Sequence, residues 1–368
     1  MKLLYISSKR SKERLPLMKS SIEFCEVKLH LRSSFSRYLK SVANLLRLLL
    51  QGRPEVALFE APGIAALPAL LYVKLARIPY CVKLKGNIWQ ELAESRGLAY
   101  RVDIFVGIMA VKYANGILPV SSHLDKVLHS RLRNKLSFVV PIHYSSDLFS
   151  LSSTLVHSRL SVHSKPLVLT VTNFNYWGKV KPLVKSIPFI SHAIELLGGE
   201  WQIIGGGVYL PKVLTMVSDY QYLFTGQISQ AKLMELYGQA SFLLYISGQD
   251  GLPNVLLEAG LFGLPTVINH DSPAAEYVIH GETGFHINLK DKKQVIAVIG
   301  KLLRNREQNR QIGLQARAYL QQNFSVENVS STLEKALRLL LDSHQASLPR
   351  FKTQIRDQNG KNPLRGKK

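Results

Sequence analysis

Two carboxylates eight positions apart, Asp250 and Glu258, occupy the stretch Ser-Gly-Gln-Asp-Gly-Leu-Pro-Asn-Val-Leu-Leu-Glu that begins at Ser247. A strand-like apolar run ends near Ile246, a Gly/Asp loop follows, and Pro253 stands where it would open a helix carrying Glu258 on its first turns. One carboxylate on the loop and one on the helix would approach a single bound molecule from two sides. Backbone amides along Gly251-Leu252-Pro253-Asn254 would offer an anion site at the helix start without a metal. The same pattern also reads as a local cap, in which Asp250 only accepts hydrogen bonds from the helix entrance. Spacing alone leaves both readings open.

Other residues carry weaker signals. Lys179 precedes a helix-like run and reads either as an anion-binding lysine or as a solvated one, with Lys181 a rival in register. Gly205 and Gly207 end the run Trp201-Gln-Ile-Ile-Gly, but Gly205-Gly206-Gly207 lacks the Gly-x-Gly-x-x-Gly spacing of a dinucleotide dehydrogenase. Lys85 and Gly86 read as cleft-lining or structural residues, and Glu276 as a loop-orienting or ordinary surface glutamate. The eleven histidines fall into no metal-ligand spacing, and Cys25 and Cys81 form no Cys-x-x-Cys pair, so no metal ligand is assigned.

These residues must be positioned by an α/β scaffold. Short apolar runs at 3–7, 56–60, 80–84, 116–120 and 136–140 alternate with helix-like segments, and the rhythm restarts at 167–171, 201–205, 222–226, 241–246 and 265–269. A polar Ser/His-rich stretch, Ser152 to Ser164, separates the two series. The reading is a domain over 1–160, a second over 161–345 and a basic tail over 346–368 expected to be disordered. Two doubly wound parallel sheets of Rossmann type would face each other across a cleft, with ligands held at the carboxyl ends of the strands.

At residues 247–286 the chain resembles the family 4 retaining glycosyltransferases of the GT-B fold. Asp250 and Glu258 keep the spacing of that family's paired donor-site carboxylates, Gly263-Leu-Pro-Thr-Val267 matches its next strand, and Gly281-Glu-Thr-Gly284 its following turn. The similarity continues faintly through Lys179, Ile204-Gly205-Gly206-Gly207 and Phe224-Thr225-Gly226, and in the first half through Lys83-Leu-Lys-Gly-Asn87 and the loop Pro141 to Phe149. Departures are an Asp at 250 where the family has Glu, Phe174 where it has an Arg, and Ser7-Ser-Lys-Arg10 in place of a Gly-Gly loop.

The resemblance implies a retaining transferase that uses a nucleoside diphosphate sugar and needs no cofactor or metal. It implies that Asp250 and neighbouring amides contact the transferred sugar, that Glu258 binds the donor ribose, and that Lys179 stabilises the leaving diphosphate, with Gly205 and Gly207 at the donor site. The acceptor hydroxyl's proton would pass to a donor phosphate oxygen. A chain of the same fold that binds a glycan or an anion without turnover is the alternative.

Charge points to the acceptor side. The chain carries +22 overall, of which residues 1–164 hold 24 Lys/Arg against 10 Asp/Glu, while residues 165–345 hold 16 against 14. A basic first half suits a glycan or lipid-linked acceptor and an anionic membrane surface; the absence of aromatic-basic RNA motifs argues against nucleic acid. Phe35 to Leu50 reads as an amphipathic helix that packs on the sheet or lies on a membrane. The first strand-like run starts at Lys2 and basic residues follow it, so no secretory signal is expected. The apolar region from Ala57 to Tyr80 is interrupted by charges and prolines, so no membrane span is expected either. The expected location is the cytoplasm, peripheral at the inner face of the membrane.

Overall fold

The structure, a computed structural model, describes residues 1–7, 23–28, 42–43, 52–60, 62–95, 97–132, 135–156 and 165–347. The first sheet is built from β1 (Lys2–Ser7), β2 (Glu23–Lys28), β3 (Val56–Glu60), β4 (Tyr80–Leu84), β5 (Gly116–Pro119) and β6 (Leu136–Ser137). The second uses β7 (Leu167–Val171), β8 (Glu200–Ile204), β9 (Phe224–Gly226), β10 (Phe242–Tyr245), β11 (Thr266–Asn269) and β12 (Gly284–Ile287). All the described pairings between these strands are parallel. Strands covered by helices on both faces are mostly apolar, and β4 and β7 are buried along their whole length, with Lys83 and Thr170 their polar members.

The helices are α1 (Leu67–Leu75), α2 (Ile88–Glu94), α3 (Leu98–Tyr113), α4 (Ser122–His129), α5 (Ser146–Val156), α6 (Trp177–Leu196), α7 (Leu210–Met216), α8 (Gln230–Gln239), α9 (Asn254–Leu261), α10 (Lys292–Arg304), α11 (Arg306–Phe324) and α12 (Val326–Ser347). Strand order is β2-β1-β3-β4-β5-β6 in the first sheet and β12-β11-β10-β7-β8-β9 in the second. In the second sheet the connections from β7 run first toward β8 and β9 and then return to β10 on its other side. The crevice at the carboxyl ends of β7 and β10 is therefore the topological switch point, where open α/β sheets bind ligands.

Several elements differ from expectation. Residues 136–140 form only the two-residue strand β6, and the run 222–226 begins its strand at Phe224 because Ser218–Leu223 winds into a 3-10 helix. Strand β12 was not expected; Gly284 pairs with Thr266, and a β-carbon there would fall 2.1 Å from the Thr266 carbonyl oxygen, so glycine lets the strand close on its neighbour. The larger correction concerns α12, which sequence order assigns to the second domain. Its buried Val329, Leu333, Leu337 and Leu340 pack with Leu3, Tyr5, Val56 and Leu58 of the first sheet. Those strand side chains present an apolar face that needs a cover, and α12 supplies it. The expected boundary at 160, most of the helix expected over 35–50 and the tail beyond Ser347 lie outside the described residues.

The two halves share apolar contacts. Leu252, Leu257, Leu261, Leu320 and Phe324 belong to one buried cluster with Leu4, Phe59, Val82 and Ile117. Shortening Leu337, fully buried in α12, to Ala should cost about 2–5 kcal/mol in a denaturant titration. Hydrogen exchange should then locate the loss in β1 and β3 rather than in β7 and β8.

Candidate active site

The switch point fixes the first pair of residues. Lys179 is the third residue of α6, which follows β7, and its ammonium lies 2.8 Å from Asp250 Oδ2 in the loop after β10. Lys179 is only 5% exposed, whereas its rival Lys181 faces solvent. A buried ammonium needs an opposing charge, and Asp250 supplies it. The same oxygen accepts hydrogen bonds from the Tyr245 hydroxyl and, at 3.2 Å, from Ser247 Oγ. Burial first, and then the adjoining Asp250 charge, raise the Tyr245 hydroxyl well above the ordinary tyrosine range, so it remains a donor.

Backbone geometry keeps these groups together. The Gly248 amide donates to the Lys179 carbonyl at 3.1 Å, and a β-carbon at Gly248 would fall 2.5 Å from the Gly178 carbonyl oxygen. Only a glycine allows that approach. Asn269 at the end of β11 holds the strand end: its Oδ1 accepts from the Ser247 amide at 2.9 Å and its Nδ2 donates to the Ser247 carbonyl at 3.1 Å. Asp250 is thus a member of a braced network, whereas the local-cap reading has no support, since α9 enters from Pro253 with no side-chain cap.

Glu258 lies one turn into α9. Its Oε2 accepts from the Tyr237 hydroxyl at 3.0 Å, a tyrosine of α8 whose ionisation burial and the Glu258 charge again push well upward. Glu258, Asn254 and Leu257 of α9 line a cleft of about 710 Å³ together with Lys85 from the first half. Its other walls are Gln230, Ala231 and Met234 of α8, and His143, Tyr144, Ser145, Asp147, Leu148 and Leu151. The cleft therefore lies between the halves, with the uncapped start of α9 opening on it.

The remaining expected residues fall in different places. Gly251 packs against the first half, where a β-carbon would lie 3.2 Å from Ser121 Oγ, and Leu252 is buried in the shared core. Lys179 and Asp250 do not line the 710 Å³ space; Gly251 to Asn254 connect their loop to it. Gly205 and Gly207 serve loop packing, since β-carbons there would strike the Thr172 carbonyl oxygen at 1.7 Å and the Phe174 backbone at 2.5 Å. Gly86 faces the Glu91 carboxylate, and Glu276 accepts from the His123 amide of α4 at 3.5 Å, a link between the halves. Phe174, at the position where an arginine was expected, is fully buried in the second core.

Sequence reading missed most of the cleft's second wall. His143 to Leu151 contribute six of its nine residues, and the signal there was the loose likeness of Pro141 to Phe149 to a known turn; for Gln230 there was none. It also missed Glu94, whose Oε1 accepts from Gln249 Nε2 at 2.5 Å, and Tyr100, whose hydroxyl is 3.4 Å from that of Tyr176. Both tie the first half to the loops carrying Lys179 and Asp250. Among the described residues no group of three or more His, Cys, Asp or Glu is placed to hold a metal ion.

Lys85 at the cleft wall pairs with Glu60 at 2.7 Å, and Tyr5 also donates to that carboxylate. Burial alone would raise Glu60, but Lys85, Tyr5 and Lys83 outweigh it and hold the carboxyl below its ordinary 4.5. A lowered folded-state value contributes stability that is full above the unfolded value and is lost as pH falls through the folded one. Glu60→Gln should therefore be less stable than the wild type near neutral pH, and the gap should narrow on acidification below 4.5, as read from urea unfolding at each pH.

Comparison with known proteins agrees with this architecture. Residues 156–319 match the model of the family described as glycosyl transferases group 1. A putative glycosyltransferase, ORF31, of a virus (isolate Australia/Victoria) is 25% identical over 229 residues, covering 62% of this chain and 68% of its own. The capsular polysaccharide biosynthesis glycosyltransferase CapM of Staphylococcus aureus is 22% identical over 370 residues, covering 89% and 94%. Several other curated relatives are matched over about half of their own length. The crystal structure of Anabaena HepE in complex with UDP and glucose superposes with a TM-score of 0.65 at 16% identity, covering 92% of this chain and 99% of that one. With residues 156–319 resembling the glycosyl transferases group 1 model and 92% of the chain superposed on a solved structure, the chain has the GT-B fold.

Proposed function

We propose that the protein transfers a sugar, with retention of anomeric configuration, from a nucleoside diphosphate sugar to a glycan or lipid-linked acceptor in cell-surface polysaccharide or glycolipid assembly. The observation that carries the reading is the buried Lys179, held by Asp250 at the switch point, beside the uncapped start of α9 and its Glu258 at the cleft. The setting is supported by CapM, named for capsular polysaccharide biosynthesis, and by HepE, a protein of the same fold solved with UDP and glucose.

In this reading Glu258 accepts hydrogen bonds from the donor ribose, and Tyr237 fixes the rotamer from which it does so. Cleavage of the bond from the sugar's anomeric carbon to the phosphate oxygen leaves an extra negative charge on the diphosphate. Stabilising such charge with preorganised donors is usually the largest catalytic term. Lys179 and the amides of Gly251 and Asn254 are the groups in place to do so without a metal. Lys179 would exchange part of its contact with Asp250 for the diphosphate, while Tyr245 and Ser247 keep Asp250 oriented toward the sugar. The acceptor oxygen forms the new bond on the face the diphosphate leaves, and its proton passes to a phosphate oxygen of the leaving group.

A thermal-shift panel of nucleoside diphosphates and their sugar conjugates, with and without magnesium, tests the donor site. One sugar conjugate should raise the melting temperature independently of magnesium, and no shift from any of them would sink the proposal. Glu258→Ala should weaken that donor's binding about 10–100-fold, the loss of a charged hydrogen bond. Lys179→Ala should lower kcat by about 100–1000-fold, as removal of a charge-stabilising donor does, with a smaller change in KM. Wild-type turnover in either variant would overturn its assigned role.

A further inference from the structure

The first half carries an apolar surface that the cleft does not use. Helices α1 and α3 lie side by side and run in the same direction: the Ile64 amide donates to Asp103 Oδ1 at 2.8 Å near their starts, and Lys74 Nζ stands 4.3 Å over the Tyr113 ring near their ends. Ala69 and Val73 of α1 and Ala110 and Val111 of α3 face the sheet. On the outer side, Leu67, Leu71 and Leu75 repeat every fourth residue and are 46%, 61% and 75% exposed. Leu98, Val102 and Phe105 continue that surface on α3 and are 80%, 41% and 52% exposed. Single exposed leucines are ordinary, but six aligned on two adjoining helices form a patch of the kind that marks an interaction surface.

The charges around the patch choose the partner. Exposed Lys74, Arg77, Arg101 and Lys112 lie on these two helices and the turn after α1, and the only carboxylate on either helix, Asp103, is engaged by the Ile64 amide. Aliphatic and aromatic side chains at the centre, with lysines and arginines able to extend past them, match a lipid interface: the apolar groups enter the acyl boundary and the cations meet the headgroups. The patch also adjoins the catalytic side, because Tyr100 near the start of α3 reaches Tyr176 just before α6, and Glu94 at the end of α2 reaches Gln249 beside Asp250.

We propose that the outer faces of α1 and α3 dock on an anionic lipid bilayer, setting the mouth of the cleft at the membrane surface. This surface is separate from residues 35–50, which read either as packing on the sheet or as lying on a membrane, and its role does not depend on which donor is used. The full chain should float with vesicles of phosphatidylcholine containing about one third phosphatidylglycerol at low salt, and not with phosphatidylcholine alone.

Replacing Leu71, Leu75 and Phe105 together by Ser should cut vesicle binding about ten-fold or more. Arg77→Glu with Arg101→Glu, a variant at two exposed positions that leaves the Lys74–Tyr113 contact in place, should lose binding most at low salt. Both variants should keep the wild-type melting temperature and donor-induced shift, which separates failure of this proposal from failure of the donor reading. Equal flotation of wild type and variants, or no flotation of the wild type, would overturn it. So would a concentration-dependent dimer in sedimentation that the Ser variant abolishes without any vesicle binding, since the face would then belong to a second copy.

Discussion

A lysine ammonium cannot be left alone inside a protein, and the second half of this chain is arranged around meeting that constraint for Lys179. The ammonium sits at the start of α6, almost fully buried, and Asp250 answers it from the loop after β10. The two residues are 71 positions apart in sequence. They meet only because β7 and β10 are neighbours in the sheet although β8 and β9 intervene along the chain. Tyr245, Ser247 and Asn269 then fix the aspartate and its strand end, and Gly248 removes a β-carbon that would hold the loops apart.

The second constraint is that the halves must form one cleft. Apolar contact does part of this, through Leu252, Leu257, Leu320 and Phe324. Polar links at the rim do the rest: the Tyr277 hydroxyl donates to the Val120 carbonyl at 2.5 Å, and Arg317 reaches Ser153 Oγ at 2.7 Å and lies over the Phe149 ring. The chain also returns, with α12 covering the first sheet after the second is complete. The first half therefore borrows a helix from beyond the second, which couples their stabilities, and Lys85 of one half and Glu258 of the other line the same cleft.

Much of this was legible in the residue order. Largely apolar runs announced β3, β4, β7 and β10, because strands buried on both faces favour apolar side chains. The pair Asp250 and Glu258, the proline between them and the glycines around them marked a strand, loop and helix with chemistry at its entrance. The polar or short strands β2, β6 and β12 were hidden or misjudged, since edge strands carry little pattern and their existence depends on a neighbour.

Sequence alone determined two parallel α/β sheets, the identity of the acidic pair and a basic first half, because periodicity, spacing and charge are local properties of the chain. It did not show that Lys179 is the buried lysine and Lys181 the exposed one, bring His143 to Leu151 into the cleft wall, or send α12 to the first sheet. Those outcomes rest on distances between residues remote in the chain. Only the packed tertiary structure sets such distances, by deciding which charges are buried, which must be paired and which apolar faces remain to be covered.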